Sequence, residues 1–260
     1  MGTFLFDKII FGPVQSRRLG VSLGVNLLPV NKKICTFNCI YCECGFNGDN
    51  NTSTSTRMPS RMEVRVELET VLKQMQAENN APNVITFAGN GEPTVHKDFE
   101  HIIDDTIALR NTYFPDAKIA VLSNATRIQK DSVFKALLKV DDNILKLDSG
   151  LETTIQLLDQ PNPDFSLKKL TEGLMAFKGQ AIIQTMFVRG VYQGKKIDNT
   201  IDADIKSWLE LIQKVSPKSV MIYTIERDTA ANGLVKVPLD ELKNIAQQTE
   251  DLGISTQVSG

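Results

Sequence analysis

Short apolar runs rich in Val, Ile and Leu alternate along the chain with longer amphipathic stretches. The runs at 21–28, 84–88, 118–123, 144–148, 181–188 and 219–225 are mostly too short for helices, and they are continuously apolar, which predicts six strands covered on both faces. Helical periodicity between and after them predicts helices over 63–79, 97–111, 129–140, 166–177, 202–215 and 239–252. Strand followed by helix, six times over, implies parallel pairing and an α/β fold. The alternation alone leaves both a doubly wound sheet and a partial (β/α)6 barrel open. In either architecture ligands bind at the carboxyl ends of the strands, so the residues just after each strand become candidates for chemistry.

Composition narrows the class. The chain has 260 residues, 42% of them hydrophobic and 23% charged, enough to bury a full core; disorder, a fibre and a disulfide-stapled miniprotein are excluded. Lys plus Arg number 29 against 31 Asp plus Glu, so the global basic footprint of a nucleic-acid binder is missing. A local basic bias remains: Arg17, Arg18, Lys32 and Lys33, then Arg57, Arg61 and Arg65, could hold phosphate or RNA, or be scattered solvated charges. No apolar stretch approaches eighteen residues and the start MGTFLFDKIIF resembles no signal peptide, so a cytoplasmic protein without a membrane segment is expected. A single domain over 1–260 is expected. Its one exceptional stretch is a polar loop at 43–60, read as mobile and serving either as a lid or as a plain connection.

All four cysteines, Cys35, Cys39, Cys42 and Cys44, fall within ten residues. Disulfides between them would close only tiny loops, where a cross-link gains little, so the cluster is read as chemistry. Cys35, Cys39 and Cys42 form C-x3-C-x2-C directly after the first predicted strand. Iron–sulfur clusters normally take four thiolates, so three would leave one iron open to a small molecule. Zinc more often uses paired C-x2-C knuckles or Cys with His, and His96 and His101 lie far along the chain, where they are expected to decorate the surface of the second helix. Cys44 is read as a small buried residue rather than a fourth ligand.

The stretch CTFNCIYC, with Tyr41 before the last cysteine, resembles the signature of the radical S-adenosylmethionine (radical SAM) superfamily. The resemblance implies a partial TIM-like barrel and a [4Fe-4S] cluster held by Cys35, Cys39 and Cys42. It further implies S-adenosyl-L-methionine chelated to the unique iron and cleaved to a 5′-deoxyadenosyl radical that abstracts hydrogen from a substrate. Tyr41 would lie by the adenine. AGNGEPTVH is similar to the superfamily's glycine-rich motif for the methionyl ammonium, which assigns Gly89, Asn90, Gly91 and Glu92 to the cofactor. Ser123 and Asn124, at the end of the third strand, match a position that binds ribose or the methionyl carboxylate, and Ile225 is an apolar wall for adenine.

Away from the cofactor, Lys146 and Asp148 share one strand face at the barrel mouth. Either they act on substrate or they form a structural ion pair. Arg189 could reach a carboxylate through its planar fork. From FGPVQSRRLG to YTIER the chain is similar to the branch of small iron–sulfur oxidoreductases related to the core of wyosine-base synthesis in tRNA, whose substrates are mostly unassigned. A nucleotide, an RNA base or a small metabolite is therefore the expected substrate, with a separate flavodoxin or ferredoxin as electron donor. Alternatives are an activase that places a glycyl radical on a partner protein, and a noncatalytic metal or electron-transfer module using all four cysteines.

Overall fold

The computed structural model describes residues 3–16, 19–48 and 57–260. The chain opens with an antiparallel pair, β1 (Ile10–Ser16) and β2 (Gly20–Val25), and then winds through α1 (Arg61–Ala77), β3 (Val84–Phe87), α2 (Phe99–Tyr113) and β4 (Lys118–Ser123). It continues with α3 (Asp131–Lys139), β5 (Asp142–Lys146), α4 (Glu152–Leu158), α5 (Leu167–Met175) and β6 (Ile182–Met186). Two further strands, β7 (Val188–Tyr192) and β8 (Lys195–Asp198), lead to α6 (Asp202–Val215) and β9 (Ser219–Tyr223). The end of the chain is β10 (Leu234–Lys236), α7 (Leu239–Glu250) and β11 (Thr256–Ser259).

One eight-stranded sheet runs β1-β2-β3-β4-β5-β6-β9-β11, parallel throughout except for the β1–β2 pair. It is a curled half-barrel, one of the two architectures that the strand–helix repeats left open and the one that the resemblance implies, with β11 as a seventh parallel strand and β1 folded onto the opposite edge. Sequence reasoning missed β1 because IFGPVQS carries Gly and Pro mid-run, and missed β11 because TQVS is polar. The expected strand at 181–188 breaks at Phe187. Its end, β7, leaves the barrel for a separate antiparallel sheet with order β10-β7-β8.

The period of two divides each parallel strand between two environments. Leu23, Val25, Ile85, Phe87, Ile119, Val121, Leu145, Ile183, Val220 and Ile222 belong to the core shared with the helices, where Leu68, Ile103, Leu137, Trp208 and Ile212 meet them. The alternate positions Val84, Ala120, Ile144, Ile182 and Met221 fill the inside of the barrel. Two residues further along on that inner face the chemistry changes to Lys146, Gln184 and Tyr223, which line a cavity. An apolar floor thus gives way to a polar mouth at the strand ends. Among the described residues no helix is long and apolar enough to cross a membrane.

Candidate functional site

The cysteine loop follows β2 and is held from several sides. Ile34 makes a parallel bridge to Gly91: its N–H donates to Asn90 O (2.9 Å), and its carbonyl accepts from Glu92 N (3.0 Å). Asn38 and Ile40 donate to the carbonyls of Asp159 (2.8 Å) and Leu158 (2.9 Å) at the end of α4, while Ala231 N donates to Ile40 O (2.8 Å). Asn47 staples the loop to itself. Its Oδ1 accepts from Cys35 N (3.2 Å) and its Nδ2 donates to the carbonyls of Cys35 and Phe37, each at 3.1 Å. Residues 43–48 of the expected mobile loop are therefore a bonded strap, while 49–56 lie outside the described residues.

A cavity of about 400 Å³ opens at the strand ends, within the size range of pockets for small organic ligands. Cys35, Cys39, Cys42 and Cys44 line it, together with Lys33, Tyr41, Gly89, Gly91, Glu92, Ser123, Asn124, Lys146, Gln184 and Ile225. Phe4 and Phe6, from the segment before β1, close one side, and the Arg227–Glu43 ion pair (2.8 Å) crosses its rim. Sequence reasoning had no signal for Phe4 or Phe6.

Burial and the neighbouring Glu92 push the Cys35 thiol up to about 12; burial and Asp159 hold Cys39 well above its ordinary value. Cys42 moves the other way, because Cys44 hydrogen-bonds to its sulfur and Lys33 lies beside it. Cys44 is buried, its thiol directed at Gly89 O (3.5 Å) and at Cys42. Among the described residues no three His, Cys, Asp or Glu side chains converge as a single metal ion demands. A zinc tetrahedron would draw its sulfurs to within about 4 Å of one another. A four-iron cluster takes each thiolate on a different iron and suits sulfurs spread around one cavity wall.

Lys33 is unexpected. The sequence left it either in a basic patch or among scattered solvated charges, but only 3% of it is exposed, and its Nζ donates to Gly45 O (2.6 Å) inside the cysteine loop. Among the described residues no carboxylate pairs with it. Burial opposes its charge, but Cys42, Cys35 and Cys39 together hold its pKa above the ordinary value. A buried ammonium without a carboxylate is costly unless something anionic binds beside it, and three thiolates carrying an iron–sulfur cluster are such a group. The remaining patch residues are no better as a patch. Arg57 pairs with Glu63, Arg61 and Arg65 share Asp105, and Arg17 and Arg18 lie outside the described residues.

Glu92 organises the wall between β3 and β4. Its Oε1 accepts from Thr94 N (3.0 Å), Thr94 Oγ1 (2.6 Å) and Ser123 Oγ (2.9 Å), and its Oε2 from Asn124 N (2.7 Å). Burial raises its pKa, against the pull of these donors. Oε2 keeps capacity for one further donor from the cavity. Asn124 Nδ2 donates to Thr36 Oγ1 (2.8 Å) and faces Cys35 Sγ (3.5 Å). Asn90 differs from expectation. Its side-chain amide accepts from Phe6 N (2.8 Å) and donates to the carbonyls of Phe6 and Pro29 (2.9 Å each), away from the cavity lining. It clamps the N-terminal segment and has no donor left for a cofactor.

Across the cavity, Tyr41, Lys146, Asp148 and Asp159 form one buried network. The Tyr41 hydroxyl contacts Asp148 Oδ2 and Asp159 Oδ1 (2.6 Å) and accepts from Lys146 Nζ (2.8 Å), which also lies 3.3 Å from Asp148. Asp148 Oδ1 caps Met186 N (2.9 Å), and Cys39 Sγ lies 3.2 Å from Asp159 Oδ1. Burial and two carboxylates hold the Tyr41 hydroxyl proton firmly; burial opposes the Lys146 charge, which Asp148 restores and raises. Burial and Asp148 push Asp159 upward. Asp159, in no strand-end motif, escaped the sequence reading. The amide of Gln184, 7% exposed and facing Lys146 in register, makes no side-chain hydrogen bond among the described residues.

Two further expectations are corrected. Arg189 lies on β7, outside the cavity, where it bonds Thr200 Oγ1 (2.9 Å), Asp198 (3.4 Å) and Glu241; the break at Phe187 carries it away. His96 is buried rather than superficial, its Nε2 donating to Pro59 O (2.7 Å) and its Nδ1 accepting from Asp98 N (3.1 Å). It ties the segment before α1 to the start of α2. His101 is exposed on α2 as expected.

Residues 33–188 match the family model described as the Radical SAM superfamily. The chain is 30% identical over 258 residues to a protein of Brachyspira hyodysenteriae named GTPase Obg, covering 98% of this chain but 35% of that protein. It contains no G-x-x-x-x-G-K-[ST] phosphate loop. It is also 30% identical to a UPF0026 protein of Helicobacter pylori, over 95% of this chain and 75% of that one. Its fold resembles that of TYW1, solved with a lysine-pyruvate adduct bound: TM-score 0.62 at 13% identity, covering 88% of this chain and 73% of that one.

Proposed function

Because the chain belongs to the radical SAM superfamily, and so is an enzyme using a [4Fe-4S] cluster and S-adenosylmethionine, we propose that Cys35, Cys39 and Cys42 hold that cluster and that the cavity beside them takes the cofactor together with a small substrate. When bound, the cluster supplies one electron to the sulfonium, the superfamily's source of a radical that abstracts hydrogen. The carrying observation is that all three cysteines open onto one cavity beside an ammonium that has no carboxylate partner among the described residues.

The chain's own residues divide the work. Gly89 and Gly91 bring backbone close to the ligand, and Glu92 offers the free side of Oε2 to the methionyl ammonium. Ser123 and Asn124, fixed by Glu92, serve the ribose or the methionyl carboxylate, and Ile225 and the Tyr41 ring wall the adenine. Lys146, with Asp148 behind it, and Gln184 face the substrate. Gln184 is the uncommitted amide in the wall, and its paired donor and acceptor suit the edge of a nucleobase or another amide-like group. The electron donor is a separate flavodoxin or ferredoxin.

Anaerobic reconstitution with iron and sulfide, then reduction with S-adenosylmethionine present, should yield 5′-deoxyadenosine. Preparations carrying four irons per chain that form none would overturn the proposal. Deuterium transfer from labelled nucleosides into that product then tests the substrate class. Gln184→Leu should lower the transfer at least tenfold while leaving S-adenosylmethionine cleavage without substrate intact.

A further inference from the structure

Lys33 is a buried charge to which the proposed cofactor and substrate contacts assign no role. It lies two residues before Cys35, 3% exposed, with Nζ on Gly45 O (2.6 Å) and beside Cys42, and it lines the same cavity as Cys35 and Cys39. Two explanations compete for such a residue. A strut needs only a donor for Gly45 O. A counter-ion needs a positive charge, and the absence of any carboxylate partner among the described residues leaves the sulfur site as the group that lysine neutralises.

Resting on the reading of Cys35, Cys39 and Cys42 as cluster ligands, we propose that Lys33 is a built-in counter-ion that raises the reduction potential of the cluster, so that a low-potential flavodoxin or ferredoxin can reduce it. Reduction adds one electron to the cluster, whose core falls from two positive charges to one. With three thiolates the net charge goes from one negative to two. A fixed ammonium in a dry site stabilises the more negative state more than the less negative one, and it does so strongly because burial excludes screening water. The same lysine holds Gly45 and hence the turn carrying Cys42 and Cys44, so charge and geometry are coupled at one atom.

The test measures the midpoint potential of the reconstituted full-length protein by EPR-monitored redox titration at fixed pH, with no S-adenosylmethionine. Lys33→Gln keeps a donor for Gly45 O and removes the charge; Lys33→Arg keeps the charge; Lys32→Gln removes a neighbouring charge outside the cavity lining. The counter-ion role requires a clearly lower potential in Lys33→Gln, little change in Lys33→Arg and a smaller shift in Lys32→Gln. An unchanged potential in Lys33→Gln at full iron content overturns it. If Lys33→Gln fails to hold four irons, Lys33→Arg decides. Full loading with a near-native potential shows that the charge is what the cluster requires, and failure to load shows a strut and refutes the proposal. A wild-type protein that binds no cluster would instead refute the ligand assignment.

Discussion

The junction between the cysteine loop and the sheet rests on one glycine. Gly91 adopts φ +131°, and a Cβ built there would lie 1.9 Å from Ile34 O, 2.5 Å from Ile34 C and 2.9 Å from Leu28 Cδ1. Gly91→Ala therefore meets backbone, which cannot swing aside as a side-chain tip can. To restore an ordinary contact, the Ile34 and Gly91 segments must part by more than about 1 Å, since carbon and oxygen tolerate little compression below van der Waals separation. That movement breaks the bond from Glu92 N to Ile34 O (3.0 Å), worth about 0.5–1.5 kcal/mol, and the backbone conformation itself costs a non-glycine residue about 1–3 kcal/mol. A loss of about 2–4 kcal/mol follows, large against a typical total of about 5–15 kcal/mol. Because Ile34 precedes Cys35, iron content should fall as well. Urea denaturation of the apoprotein and iron per chain after reconstitution measure the two effects. Gly48→Ala is the control: φ is +97° but its Cβ meets nothing within 4 Å among the described residues, so there it carries the conformational cost alone. A Gly91→Ala protein as stable as Gly48→Ala with full iron content would refute the reasoning.

Cys39→Ala should abolish the cluster absorbance, whereas Cys44→Ala should retain about four irons per chain; loss in the second would make Cys44 a ligand. Arg189→Ala should leave 5′-deoxyadenosine formation unchanged and lower stability by about 1 kcal/mol, since its ion pairs with Asp198 and Glu241 are partly exposed. Asp105→Asn should lower stability by about 1–2 kcal/mol at pH 7, because Asp105 takes hydrogen bonds from Arg61 (2.6 and 2.9 Å) and Arg65 (3.0 Å) across α1 and α2. The Arg61 hydrogen bonds hold the Asp105 pKa below its unfolded value of about 3.9, so this stabilisation is present above about pH 4 and disappears as pH falls through the folded value. Thermal melts from pH 7 downward should show wild type and variant converging, and a constant gap would contradict it.

The strand–helix alternation was legible because parallel strands covered on both faces leave continuous apolar runs, and the cysteine spacing was legible because it is local. What escaped reading depends on long-range pairing. Arg189 continues the apolar run of β6 without a break in composition, and only the change of pairing partner at Phe187 removes it from the barrel. Lys33 looked like one of several scattered cations, since a sequence does not show that its ammonium turns inward onto Gly45. Asp159 reaches Tyr41 and Cys39 from the end of α4, more than a hundred residues away. Asn90 stands in a stretch that resembles a cofactor motif yet clamps Phe6, because the N-terminal segment returns over it.

Under the proposed function, these long-range contacts also explain how one cavity can serve a cofactor and a substrate. The ends of β2, β3 and β4 carry the cysteine loop and its bridge, and their polar side chains, Asn26, Glu92, Ser123 and Asn124, are bonded to the protein. Rigidity there suits a cofactor that every turnover needs in one pose. The ends of β5, β6 and β9 carry Lys146, bonded to Tyr41 and Asp148, together with Gln184 and Tyr223, two residues above the apolar floor of Ile144, Ile182 and Met221. Replacing Gln184 leaves the floor and the cysteine loop untouched, so under the proposed function substrate preference can change on this half without disturbing cluster assembly on the other. Gly91 and Lys33 have no such freedom, since each holds the loop that carries the proposed cysteine ligands.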